Sequence, residues 1–252
     1  SYAKYSIPNG FIGTTQSRVD ILLLGALLSS AAVGKYQVAM QLTIVGTFIG
    51  NVTAMGLMAR VSDHWSRDKS GAIINDVTNS LGYASVLAIP IFFGAAAMPN
   101  DIPVTVFGPQ YAGIGLVLVG LAFFFFFNIQ SSQLASTIDG LDRPDVNTRV
   151  GLTILVLNIG LGYVFLLKYG VLGVVAATII SEVVRYVSLA HIVKQHFLNI
   201  HLFSQPLRHQ LLAGATMFAI IDRLHAVTGV SWWGDLLILI GLGGLVYFVT
   251  LI

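Results

Sequence analysis

The chain has 252 residues, of which 56% are hydrophobic and 10% charged, with a formal net charge of +2. A soluble domain carries about 25% charged and about 45–50% apolar residues, so this chain cannot cover a water-facing surface, whereas a bilayer is itself apolar. The basic residues are scattered, which excludes a nucleic-acid patch, and the absence of cysteine excludes disulfides and thiolate metal sites.

These values predict an all-α, polytopic transmembrane bundle. Eight apolar segments follow one another, separated by short polar or Pro/Gly-bearing turns; a span needs about 20 mostly apolar residues. The first runs from about Ile7 to Leu28, and the second from about Tyr36 to Ala59. A polar stretch, Arg60 to Asn79, then begins a helix leading into the third span, about Ser80 to Met98, which Pro90 should kink. The fourth, about Ala112 to Gln133, holds the run Phe123 to Phe127, read as lipid-facing or core surface. Its polar end, Asn128 to Gln133, is expected at an interface where water satisfies it. The fifth, about Val150 to Leu167, turns at Lys168-Tyr169-Gly170 into the sixth, about Val171 to Val193. The seventh, about Leu207 to Ile221, is short, and the eighth runs from about Leu236 to Ile252. The chain opens without Met or a basic leader and closes inside an apolar run, so it reads as a piece of a longer transporter.

Lys and Arg in short loops set orientation. One side would hold Lys4, Arg60, Arg67, Lys69, Arg143, Arg149, Lys194 and Arg208, and the other Lys35, Lys168 and Arg223. The first side is therefore expected to be cytoplasmic.

Several stretches resemble a known family. They are Asp20 to Gly25 followed by Ala32 to Tyr36; Phe107 to Tyr111; Leu134 to Gly140 followed by Arg143-Pro144; and Leu157-Asn158-Ile159, Lys168 to Gly173 and Ala176 to Ser181. In order and spacing the chain is similar to the polysaccharide and oligosaccharide-lipid flippases of the MATE-like exporter superfamily. The resemblance implies two bundles of about six helices, often with two more at the end, that alternate access around a central cavity. On that pattern residues 1–198 would be the second lobe and residues 199–252 two additional helices. The expected partners are membrane lipid, a polyprenyl- or dolichyl-linked glycan and the missing first half of the transporter.

The same motifs have packing readings. Gly34, Gly108 and Gly170 are expected at turns, where a positive φ favours glycine. Gly173, Ala176 and Ala177, and likewise Gly46 and Gly50, allow helices to approach closely.

Ionisable residues inside spans point to function because they are costly there, about 2.5–3.5 kcal/mol at a helix centre on insertion scales. In the first span Thr14 and Arg18 share one face, while Asn9, Gly13, Gln16 and Asp20 form a stripe on roughly the opposite one. Both faces cannot meet lipid. Arg18 either binds a substrate phosphate with its planar fork or pairs with a carboxylate elsewhere. Thr43, Thr47 and Asn51 form a polar row on the second span that either lines a cavity or bonds between helices. Glu182 and Arg185 on the sixth span are expected to pair, with snorkelling of Arg185 toward headgroups as an alternative. The candidate cavity residues are thus Arg18, Asp20, Thr14, Gln16, Thr47 and Asn51. No zinc spacing, Walker A or GxSxG motif occurs, so no catalytic residue, metal or cofactor is expected.

Three functions compete. A lipid-linked oligosaccharide flippase would use a cationic polar cavity in the cytoplasmic membrane. An ion-coupled multidrug exporter of the same fold would use a carboxylate such as Asp20. A membrane-embedded glycosyltransferase or polymerase usually displays clustered acidic or basic residues on sizeable loops, and the longest loop, Arg60 to Asn79, holds as acids only Asp63, Asp68 and Asp76.

Overall fold

The computed structural model describes residues 18–251. In order these form α1 (18–27), α2 (Ser30–Ile44), α3 (Thr47–Ser66), α4 (Ser70–Tyr83), α5 (Ala88–Ala97), α6 (Asp101–Phe107), a short 3-10 turn at Pro109–Tyr111, α7 (Gly115–Gly140), α8 (Pro144–His196), α9 (Gln205–Thr228) and α10 (Trp233–Leu251). Gly170, at φ 60° and ψ −138°, breaks α8 into α8a (Pro144–Tyr169) and α8b (Val171–His196). A side chain would be strained at that φ, so glycine makes the tight reversal read from the sequence.

Among the described residues six segments are long and apolar enough to cross a membrane: Ser70–Ala97, Gly115–Gly140, Pro144–Tyr169, Val171–His196, Gln205–Thr228 and Trp233–Leu251. The pair α2–α3 makes a seventh if counted as one span bent by 60°. The chain is therefore a multi-pass α-helical membrane protein. The expected first span lies partly outside the described residues, so about eight spans remains consistent. The seventh expected span is longer than read, because Gln205–Thr228 continues to Gly229 at φ 65°.

The spine is α7, which packs on α2, α3, α4, α5 and α8. One core cluster joins α1, α2 and the first half of α7 to the α8 hairpin through Leu24, Tyr36, Leu118, Leu121 and Val174. A second joins α3, α4, the second half of α7 and the end of α8b through Leu57, Ile73, Leu134 and Leu189. A third seats α9 and α10 on α5 through Ile89, Met217, Ile221 and Tyr247.

Two of the spans are broken, and the breaks meet. Between α2 and α3 the hydroxyls of Thr43 and Thr47 donate to the Ala39 and Ile44 carbonyls at 2.9 and 2.7 Å, and such back-bonding bends helices. Between α4 and α5, Pro90 has no N–H for the Val86 carbonyl, and residues 84–87 form a turn. A β-carbon on Gly46 would lie 3.1 Å from the Ala88 Cα, so glycine lets the two breaks touch.

Two glutamines serve the carbonyls of the second break. Gln130 Nε2 donates to the Leu81 carbonyl at 3.1 Å and to Ser85 Oγ at 2.8 Å, and Gln210 Nε2 donates to the Gly82 carbonyl at 2.8 Å. Gln133 ties α7 to both neighbours, donating to the Gly50 carbonyl at 2.8 Å and accepting from Ser80 Oγ at 2.7 Å.

Three expectations are corrected here. Asn128 to Gln133 is not an interfacial end: Gln130, Ser131 and Gln133 are buried, and the two glutamines find carbonyls on the neighbouring broken helices. The second span is not one continuous helix, for the reason just given. Gly34 is not at a turn but inside α2, whereas Gly108, at φ 103°, and Gly170 do sit at turns. Of the two readings given for the phenylalanine run, the structure supports core surface: Phe125 is buried, Phe123 packs on Phe92 at a tilt of 48°, and Phe127 meets Tyr186 edgewise.

The basic loops gather at one end. Arg60 pairs with Asp76 at 3.2 Å, Arg143 Nη1 meets His196 Nε2 at 2.9 Å, and the Trp65 and Phe197 rings contact edgewise at 6.5 Å. At the opposite end His225 lies 3.1 Å from Asp101 and ties α9 to α6.

Candidate functional site

A groove of about 290 Å³ opens where α1, α2, α7 and both halves of α8 converge. Each helix contributes one stripe. From α2 come Tyr36, Met40 and Ile44; from α7, Phe124, Phe125 and Asn128; from α8a, Ile154 and Asn158; from α8b, Thr178, Ser181, Glu182 and Arg185; and from α1, Asp20. Steps of three and four residues keep such side chains on one helical face, so the periodicity of each span aims its polar residues inward.

The Asp20 carboxylate is the anchor. Its Oδ2 accepts from Tyr36 Oη at 2.5 Å and from Thr178 Oγ1 at 2.8 Å. Thr178 Oγ1 also lies 3.0 Å from the Val174 carbonyl, but a hydroxyl has one proton, and the carboxylate makes the stronger acceptor. Asn158 Nδ2 reaches Thr178 Oγ1 at 3.5 Å. The buried Asp20 is thus held from α2 and α8b together.

Oxygen atoms remain over. Asp20 Oδ1, Asn158 Oδ1, Ser181 Oγ and Glu182 Oε1 are buried without a hydrogen-bond partner. Such atoms are costly in a low-dielectric interior. A wall rich in free acceptors suits a donor: a proton, a hard cation or the hydroxyls of a sugar. Among the described residues no three His, Asp or Glu side chains group as a metal site.

The candidates read from the sequence are distributed as follows. Asp20 lines the groove, with Glu182 and Arg185 beside it at an ion-pair distance of 3.6 Å. Arg185 falls in the middle third of α8b, roughly 17 Å from its nearer end at about 1.5 Å per residue. Arg18 is exposed and begins the described part of α1, outside the groove lining. Thr47 is buried and back-bonded to Ile44, and Asn51 is exposed, donating to Thr47 Oγ1 at 3.4 Å; neither lines this groove. Thr14 and Gln16 lie outside the described residues. The reading from sequence passed over Tyr36, Asn158, Thr178 and Ser181. A single Asn in the apolar run Val150 to Leu167 was the available signal for Asn158.

The wall carries two carboxylates, Asp20 and Glu182, against one guanidinium, Arg185. A multi-pass helical bundle with a polar, ion-paired groove is an arrangement that occurs in membrane transporters.

Comparison with known proteins agrees. Residues 1–115 match a family described as polysaccharide biosynthesis protein. The chain is 26% identical over 247 residues, 98% of its length, to a "probable low-salt glycan biosynthesis flippase", Agl15, of Haloferax volcanii, covering 52% of that protein. It is 27% identical over 184 residues, 72% of its length, to a "probable flippase", AglR, of the same organism, covering 38% of that protein. In fold it is similar to the lipid II flippase MurJ in an inward closed conformation, with a TM-score of 0.77 at 19% identity, over 96% of this chain and 51% of that one. The chain is thus similar in sequence to proteins named as probable flippases and similar in fold to a lipid II flippase. It spans about half the length, or less, of the relatives it matches.

Proposed function

We propose that this chain is part of a flippase that carries a lipid-linked oligosaccharide or polysaccharide precursor across the cytoplasmic membrane by alternating access. The carrying observation is the mid-span groove, which sets the guanidinium of Arg185 among buried oxygen acceptors. The guanidinium answers a phosphate and the free oxygens answer sugar hydroxyls. The names of the relatives favour the same cargo. Residues 1–198 act as the second lobe and residues 199–252 as two added helices, with a first lobe facing the groove; the half-length coverage of the relatives supports this division. Arg18, Asp20 and Asn51 belong to the lobe's polar face toward that partner.

A second reading has one observation behind it. The two carboxylates against one guanidinium also fit an ion-coupled exporter of cationic drugs, with Asp20 as the coupling group. The full-length protein in liposomes separates the two. Under the flippase reading a fluorescent lipid-linked oligosaccharide loaded in one leaflet becomes accessible in the other, and a cationic dye is not moved. Transport of the dye without the glycan lipid would overturn it.

A further inference from the structure

Among the described residues Arg185 makes no hydrogen bond, although a guanidinium carries five N–H donors. Its one partner is Glu182, at 3.6 Å, and Glu182 Oε1 has no hydrogen bond either. That separation exceeds the usual 2.7–3.2 Å of a hydrogen bond, so the pair is close enough to attract but not locked. The Arg185 side chain is 22% exposed and that of Glu182 5%, so both are largely withdrawn from their surroundings. Two more donors share the wall. Ser181 Oγ is buried without a partner, and Asn128 lies on α7 next to Phe127, whose ring meets Tyr186 of α8b at 5.6 Å. Donors from two helices thus share one wall, with the Glu182 carboxylate beside Arg185 and that of Asp20 one helical turn away at Thr178.

A structural ion pair in a membrane interior is expected to close up, because nothing else satisfies its atoms. This one leaves a whole fork of donors facing the groove. We propose that Arg185, with Ser181 and Asn128, binds the phosphate of the translocated substrate, and that Glu182 is a built-in competitor which holds Arg185 until that phosphate displaces it. The inference rests on the flippase reading and adds to it the residue that takes the anion and the device that restrains it. Glu182 gives selectivity as well: a neutral lipid cannot displace it, whereas a diphosphate can accept two bonds from the planar guanidinium.

The test is equilibrium binding to the full-length protein in lipid nanodiscs, with a short polyprenyl diphosphate as probe and the matching neutral polyprenol and phosphatidylglycerol as comparators. Arg185→Gln is expected to weaken diphosphate binding about tenfold or more, the loss of a charge-assisted contact, and to leave polyprenol binding unchanged. Arg185→Lys is expected to fall between. Glu182→Gln is expected to tighten diphosphate binding, a direction that a purely structural pair does not give. Unchanged diphosphate binding by Arg185→Gln, or weakening by Glu182→Gln as large as that by Arg185→Gln, would overturn the inference alone. Displacement of the probe by phosphatidylglycerol as effectively as by unlabelled diphosphate would overturn the substrate assignment. A folded wild-type protein that binds no polyprenyl diphosphate would instead sink the flippase reading itself.

Discussion

The Tyr36 hydroxyl donates to the Asp20 carboxylate at 2.5 Å, joining α1 to α2 in the interior of the bundle. Asp20 Oδ2 has one other donor, Thr178, so the tyrosine supplies half of its hydrogen bonding. Tyr36→Phe removes that donor and keeps the ring, which is almost wholly buried. A buried polar group left short of a partner costs about 1–3 kcal/mol. The full-length protein should therefore unfold at lower temperature, and Asp20→Asn, which removes the charge at the same time, should restore part of the loss. Additive destabilisation in the double variant would show that the two residues are not coupled.

The contact between Gly46 and Ala88 predicts a second effect. Gly46→Val forces a branched side chain against the backbone where the two broken spans meet. Overpacking of this kind costs about 1–3 kcal/mol. Gly34→Val is the control, because a β-carbon there meets nothing within 4 Å. Thermal unfolding of the two variants should separate them clearly; equal melting temperatures would mean that the breaks do not need to touch.

Much of this architecture was legible because apolar length and Pro/Gly punctuation are local signals. The turn at Gly170 and the kink before Pro90 follow from backbone sterics alone. The groove was legible only in part. Asp20, Glu182 and Arg185 stood out as charges in apolar runs, whereas Tyr36 and Thr178 read as ordinary span residues until Asp20 lay beside them. The glutamines 130 and 133 were misplaced at an interface for a related reason. A polar cluster near the end of an apolar run looks solvated, and only tertiary packing reveals the carbonyls of two broken helices that satisfy it.

Topology gives a third prediction. Ser66 and Asp142 are exposed and lie at the end where the basic loops gather, whereas Lys168 is exposed at the other end. Lys and Arg bias favours the first end as cytoplasmic. In intact cells a membrane-impermeant maleimide should label a single cysteine at position 168 but label positions 66 and 142 only after permeabilisation. Asn147 is a poor reporter despite its loop position, because its amide donates to the Ala135 carbonyl at 2.8 Å and to Asp139 at 2.7 Å. The reverse labelling pattern would invert the orientation.

The last prediction concerns Arg18. It sits two residues before Asp20, whose carboxylate meets Thr178 inside α8b, so it lies at membrane depth. It is exposed on the surface of this bundle. A lipid-facing arginine at that depth costs about 2.5–3.5 kcal/mol on insertion scales, so its face is better accounted for by a watery cavity or a facing lobe than by acyl chains. Arg18→Ala should then lower glycan-lipid transport severely while membrane abundance and melting temperature stay near wild type. Arg18→Lys should rescue in part, since it keeps the charge and loses the two-pronged geometry. The measurement is complementation of glycan export in cells lacking the transporter, with protein level followed in parallel. If Arg18 only held a carboxylate of the partner lobe, Arg18→Ala would chiefly lower protein level and melting temperature. Normal export by a well-expressed Arg18→Ala protein would leave Arg185 as the cation that this half offers to the substrate.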